Sequence, residues 1–438
     1  MSAERDLLLN QAADLLRAAK AAGADVAETS MSVGMSISLQ RRLGKIEETE
    51  RAEGRGLGLR VFVGKQNASI SAGSIDPAAF ARLAEQAVAM AKVVPEDRYA
   101  EIPDAPPPID ARFLDLDDPI EPPMEVLIGR AAAAEDAALS VQGITNSEGA
   151  SASWGRSTSV LATSRGFAGH YTRSHHGISA TAIAGAGTQM QRDYDYSSAV
   201  HGGDLDDPAA LGKRAADQAL ARLNPSRPKT AKLPVIFDPR VSNSVLGHLT
   251  GAISGAAVAR GTSFLKDKLG AQIFSSGITI VDDPLRVRGQ RSRAFDGEGQ
   301  PGEKRAFIEN GVLTSWILDT RSANQLGLKT TGHAGGVSNF YLEPGSVTPE
   351  ELMADITEGL YVTEMMGGGV NGITGDYSRG AAGFMIRNGK LAEPVAEFTI
   401  AGHALSMFAS IIAANDLVFK RGTNAPTLRL EGLTLAGA

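Results

Sequence analysis

The sequence predicts an α+β fold: a mixed N-terminal lobe, then a C-terminal lobe dominated by antiparallel sheet with packed helices. Three observations carry this expectation. Met31, Val33, Met35, Ile37 and Leu39 share one parity with serines between them, the period-two pattern of a half-buried strand. Segments of helical spacing or composition recur at 4–22, 77–92, 125–139 and 208–223. In the last third, Asn310-Gly311 and Asn388-Gly389 each sit between apolar runs, a hairpin signal because both residue types tolerate positive φ.

The elements follow in order. Leu7, Leu8, Leu15, Leu16 and Ala19 fall at helical spacing and Gly23 stops the run. The alternation from Ala27 is the first strand. Further strands are expected at 58–63 and 67–72, with the glycines from Gly54 forming a turn that enters the first of these, and residues 77–92 return to helix. Residues 1–94 therefore read as a mixed α/β lobe. Eight prolines, Pro106, Pro107 and Pro108 among them, crowd residues 95–123. A proline offers no N–H to a helix or a central strand, so this stretch reads as a linker or surface crossing. Residues 124–228 read as a helix, a Ser/Thr/Gly-rich antiparallel meander over 143–200 and a closing helix. Residues 229–438 form the C-terminal domain. No fixed internal period is present.

Composition narrows the function. With 438 residues, two or three lobes are expected. A formal charge of −7 provides no basic face for nucleic acid. Cysteine is absent, which excludes disulfides, thiolate nucleophiles and Cys-based metal sites within this chain. The N-terminal stretch carries Glu4, Arg5 and Asp6 and is amphipathic, unlike a signal peptide or a membrane span, so the cytoplasm is the expected location, with no membrane partner. Neither a Gly-x-Ser-x-Gly elbow nor a phosphate-binding Gly-x-x-x-x-Gly-Lys loop occurs, and the Gly54 run follows charged residues rather than a hydrophobic strand, which argues against a dinucleotide site.

Several segments stand out: Gly54–Gly64, Asp238–Ala259, Phe295-Asp-Gly-Glu-Gly-Gln-Pro301, Gly367-Gly-Gly-Val-Asn-Gly-Ile-Thr-Gly375 with its continuation to Gly389, and Asn415-Asp416-Leu417. In this order and spacing they resemble the PmbA/TldD family, described also as modulators of DNA gyrase. The resemblance covers nearly the full chain. In the family's catalytic TldD-type subunit a helix presents His-Glu-x-x-x-His and a cysteine near the C-terminus completes a zinc site. The chemistry needs such a set: imidazole and thiolate donors, an open position for water, and a carboxylate as general base. The corresponding positions here are Gly247, His248 and Ala252, and no cysteine is available. The resemblance therefore implies the PmbA/TldE-type subunit of a TldD-TldE zinc metalloprotease, itself without catalytic or metal-binding residues, with zinc in a TldD-like partner and unfolded peptide as substrate. A heterodimer is implied, with a homodimer as the other arrangement. Two other readings stand beside it: a stand-alone metallopeptidase with an unrecognised metal site, and a non-enzymatic modulator that binds gyrase or another protein.

The residues can also be read without the family. Asp238-Pro239 after an apolar strand is a helix start, and Val241, Val245, Leu249 and Ile253 then line one face. His248 has Ser244 and Ala252 one turn away, so that helix offers no second ligand. His170, His175, His176 and His201 form the other histidine-rich region. On an extended segment His170 and His176 lie about 20 Å apart, too far for one ion. Asp193 and Asp195 can share a strand face as paired carboxylates, against the plainer reading of solvated loop residues. Gly367, Gly368 and Gly369 are candidates for close backbone approach to a peptide channel, against the plainer reading of a flexible turn.

Overall fold

The computed structural model describes residues 2–107 and 109–437, so Pro108 of the proline-rich stretch lies outside the described residues. The chain has the expected α+β composition, with sheets in both halves. Six strands, β1 (Val26–Arg42), β2 (Lys45–Val63), β3 (Gln66–Ala72), β4 (Ile144–Thr163), β5 (Ala168–Ala184) and β6 (Gln191–Ala199), form one antiparallel sheet in the order β3-β2-β1-β4-β5-β6. Pairing of β1 with β4 joins the segments before and after the proline-rich stretch.

Alternation decides which face is covered. Ala27, Met31, Ile37 and Leu39 of β1 and Ala150, Ala152, Trp154, Val160 and Ala162 of β4 share one side and are buried. Helices α1 (Ser2–Ala21) and α2 (Phe80–Ala91) cover one end of it, and α3 (Met124–Leu139) and α4 (Pro208–Ala221) cover the other. The serines between these positions face the opposite side, as period-two geometry requires.

The second strand differs from expectation. It begins at Lys45, so Gly54–Gly58 lie inside a continuous strand rather than in a turn. The turn is Leu43-Gly44, both at positive φ (46° and 80°). Leucine there is unfavourable on its own; a buried carboxylate offsets the cost, because Glu135 of α3 accepts from Leu43 N at 2.7 Å and Gly44 N at 3.2 Å and pairs with Arg41 Nη1 at 2.9 Å. Local sequence could not show this.

Between the lobes, the described residues of the proline-rich segment are extended, with one 3₁₀ turn among them at Arg112–Leu114. Ile102, Leu114 and Leu116 are buried along it, and Asp97 pairs with Arg321 at 2.6 Å.

The C-terminal half contains β7 (Ala231–Phe237), β8 (Ile280–Asp282), β9 (Arg305–Glu309), β10 (Val312–Leu313), β11 (Phe340–Leu342), β12 (Glu358–Val370), β13 (Asp376–Arg387), β14 (Lys390–His403), β15 (Ile412–Ala413), β16 (Thr423–Asn424) and β17 (Leu428–Ala436). One sheet runs β10-β9-β8-β11-β16; the other runs β14-β13-β12-β7-β17-β15, and a β14–β17 pairing closes it on itself. Its inner residues Val235, Phe237, Leu360, Val362, Phe398, Ile400 and Leu428 join one large core with helix α5 (Pro239–Ala252). Both Asn-Gly turns form hairpins at positive φ: Asn310 (48°) and Gly311 (83°) between β9 and β10, Asn388 (49°) and Gly389 (76°) between β13 and β14.

Candidate functional site

Helix α5 starts as its sequence specifies. Asp238 caps it, accepting from Arg240 N at 2.8 Å, with Pro239 in the first turn. Tyr361 of β12 donates to the second Asp238 oxygen at 2.8 Å, which fixes the helix start to the sheet. Val241, Val245, Leu249 and Ile253 are buried, as their spacing predicts, while Gly247 is exposed and Ala252 is in the core.

His248 lies on the flank of this helix, over β12 and β13. Its ring meets Tyr377 edge-on with centroids 5.7 Å apart. A Cβ on Gly369 would stand 3.4 Å from His248 Cε1, so the strand backbone passes directly beside the imidazole. Nε2 is buried without a hydrogen-bond partner among the described residues. Burial, and secondarily the Arg379 guanidinium, push the His248 pKa down to about 4, so the ring is neutral at physiological pH. Tyr377 is shifted upward by burial.

A zinc ion needs three or four donors converging on one point. At α5 one imidazole is present, its neighbours one turn away are Ser244 and Ala252, and the nearby charge is the Arg379 cation. This donor set does not fit zinc. Among the described residues, no group of three or more His, Cys, Asp or Glu side chains is arranged to hold a metal ion.

Gly367, Gly368 and Gly369 are not a turn between elements; they lie within β12, which corrects the flexible-turn reading. Met366 pairs with Gly380 and Gly369 with Ser378, so Gly367 and Gly368 form a bulge. Their φ values are 58° and 48°, and a Cβ on Gly368 would come within 2.1 Å of Ser378 O. Close approach of two strand backbones requires glycine there. Arg379 holds the bulge from the next strand, Nε donating to Gly367 O at 3.1 Å. Met366 (53 % exposed) and Ile373 (67 %) flank it. The following loop is organised by Asn371 Oδ1, which accepts from Ile373 N and Thr374 N, and by His403 Nε2, 2.9 Å from Thr374 O. Sequence reading picked out the glycines but not Arg379 or Tyr377; an arginine or tyrosine in a strand carries no local signal.

The remaining candidate histidines and aspartates lie on or beside the N-terminal sheet. His170, His175 and His176 all lie along β5. His176 is buried 3.1 Å from Asp118, and His201 lies 3.3 Å from Asp115, so these two contacts hold the proline-rich segment against the sheet. Asp193 and Asp195 do share one face of β6, but the solvated-loop reading is corrected: both are buried. Asp193 pairs with Arg240 at 2.6 Å and Arg222 at 3.3 Å, and Asp195 with Arg214 at 2.6 Å.

In the Phe295–Pro301 segment, Asp296 accepts from Glu298 N, Gln300 N and Ala334 N. Glu298 accepts from Thr320 N at 2.9 Å and Thr320 Oγ1 at 2.6 Å, while burial pushes its pKa up to about 7. Asp416 accepts from both Thr427 N and Thr427 Oγ1. These segments set loop geometry.

Comparison with known proteins yields matches along the chain. Residues 27–91, 117–223 and 230–437 match, in turn, domain 1, the central domain and the C-terminal domain of the PmbA/TldA metallopeptidases. The chain is 38% identical over 416 residues to the metalloprotease PmbA of Escherichia coli O157:H7, covering 94% of this chain and 92% of that one. It is 34% identical over 422 residues to the metalloprotease PmbA homolog of Haemophilus influenzae, covering 95% and 92%. Among solved structures, a Bacteroides thetaiotaomicron protein described as a candidate modulator of DNA gyrase superposes with a TM-score of 0.88 at 26% identity, covering 98% of each chain. TldE from Thermococcus kodakarensis shares the fold, with a TM-score of 0.85 at 21% identity, covering 98% of this chain and 100% of that one.

Proposed function

The chain belongs to the PmbA/TldD metallopeptidase family, and from that premise we propose that it is the PmbA/TldE-type subunit of a two-chain zinc peptidase. A TldD-like partner carries the zinc and cleaves the bond; this chain shapes access for unfolded peptides. What supports this reading is α5: the resemblance puts Gly247, His248 and Ala252 at the positions of the family's zinc motif. There the one imidazole is packed against Tyr377 and Gly369 beside a guanidinium. An ion placed there would meet one neutral nitrogen and a repelling cation.

The substrate is an extended peptide taken largely through its main chain. Such binding tolerates many sequences, because the hydrogen bonds are common to all of them. The bulge at Gly367–Gly369 is the proposed contact on this chain, where the lack of side chains lets another backbone approach. The proposed location is the cytoplasm; no helix among the described residues is long and apolar enough to cross a membrane.

The test is zinc content and cleavage of an unfolded peptide, measured on the purified chain and after co-expression with a TldD-like chain. Zinc and activity confined to the co-expressed complex are expected. Stoichiometric zinc and turnover in the lone chain would overturn the assignment and favour a stand-alone peptidase. Recovery of a stable complex with gyrase, and none with the TldD-like chain, would favour the modulator reading.

A further inference from the structure

Arg379 is a partly buried cation whose charge is only partly used. It sits on β13 opposite the β12 bulge, and Nε donates to Gly367 O at 3.1 Å, which fixes the plane of the guanidinium. Among the described residues, no carboxylate pairs with it and neither Nη1 nor Nη2 has a hydrogen-bond partner. Elsewhere in the chain, partly buried arginines commonly face carboxylates, as Arg156 faces Asp117 and Arg240 faces Asp193. The free Nη1/Nη2 edge is therefore a fork held in place on one side and open on the other. Two parallel N–H groups in that geometry match the two oxygens of a carboxylate.

The surroundings suit an anion further. Gly367 and Gly368 have no partner residue in the β12–β13 register. With no side chain at three consecutive positions, a ligand can approach the strand closely. His248 and the Tyr377 phenol packed against it are neutral and add no competing charge, and the flanking Met366 and Ile373 are uncharged.

We propose that Arg379 and the Gly367–Gly369 bulge form a carboxylate-binding site that takes a carboxylate of the peptide, from its C-terminus or from an acidic side chain. The inference rests on the peptide-binding reading above and adds a polarity to it. A main-chain groove accepts a peptide at any register, whereas a fixed fork beside it selects the register that places a carboxylate there.

The test uses the full chain and a fluorescein-labelled unfolded peptide containing one internal glutamate, with binding followed by anisotropy. Three forms are compared: free C-terminus, C-terminal amide, and glutamine in place of the glutamate. Loss of one charge-assisted fork is expected to weaken binding by about tenfold or more. Weakening on amidation assigns the C-terminus; weakening with glutamine assigns the side chain. In Arg379→Gln that sensitivity disappears, and Arg379→Lys, which keeps the charge but not the fork, retains it in part.

Equal affinity for all three peptides by the unaltered protein overturns the inference without recourse to any variant, as does sensitivity that persists in Arg379→Gln. The two readings separate cleanly. A co-expressed complex that cleaves all three forms equally well, with no carboxylate dependence of binding, refutes the fork and leaves the proposed subunit role. Carboxylate-dependent binding with no zinc or cleavage in the complex does the reverse.

Discussion

Replacing Gly368 by alanine tests whether the bulge is held by close backbone contact, and Gly367 supplies an internal control one residue away. Both glycines adopt positive φ, 58° at Gly367 and 48° at Gly368. An alanine at either position bears the cost of the left-handed backbone, roughly 1 kcal/mol. Their surroundings differ. A Cβ at Gly367 meets nothing within 4 Å, whereas at Gly368 it would lie 2.1 Å from Ser378 O and 3.1 Å from Ser378 C. These are main-chain atoms of a paired strand, so relief requires the strands to separate. Overpacking of this kind costs about 1–3 kcal/mol beyond the backbone term. Native-state hydrogen exchange at β12 and β13 amides reads this locally, without assuming that a chain of several lobes unfolds in one step. Gly368→Ala is expected to reduce protection there by about one to two orders of magnitude more than Gly367→Ala. Equal protection in the two variants would refute the claim that strand contact, rather than backbone conformation alone, fixes the bulge.

Two further outcomes follow from buried titratable groups. Glu298 has its pKa raised to about 7 by burial, so the folded protein holds this proton more tightly than the unfolded chain. The associated stability is present below the ordinary glutamate range and is lost as pH rises from about 4.5 to about 7. A denaturant-midpoint profile should show this decline in the wild-type chain and lack that component in Glu298→Gln; identical profiles would exclude Glu298 as its source. His248 shows the opposite sign: with its pKa lowered to about 4 by burial and Arg379, its contribution is present above the ordinary histidine range and lost as pH falls from about 6.5 towards about 4. An NMR titration should find the ring neutral at pH 5, with an upward shift in Arg379→Gln, and an ordinary histidine titration would refute the burial argument.

Local pattern determined the elements whose energetics are themselves local. The Asp238-Pro239 start and the Val241, Val245, Leu249, Ile253 face of α5 were legible because a cap and a helical period lie within a few residues of each other. So were both Asn-Gly hairpins, whose turns need only two residues able to adopt positive φ. The absence of cysteine and the residues at 247, 248 and 252 also follow from sequence alone, since donor chemistry is a property of residue type.

What depended on distant contacts was not legible. The Leu43-Gly44 turn looks unfavourable until Glu135, some ninety positions away, supplies its acceptor. Gly54–Gly58 read as a turn because glycine weakens a strand, yet pairing with β1 on one side, and from Leu57 with β3 on the other, keeps the segment extended. Asp193 and Asp195 read as solvated because a carboxylate alone belongs in water, and three arginines from elsewhere in the chain reverse that preference. The Gly367–Gly369 bulge and the open fork of Arg379 likewise arise only when β12 and β13 are set side by side. Sequence determines which groups are available and what each prefers in isolation; tertiary structure decides which groups meet, because burial and pairing outweigh single-residue preferences once solvent is excluded.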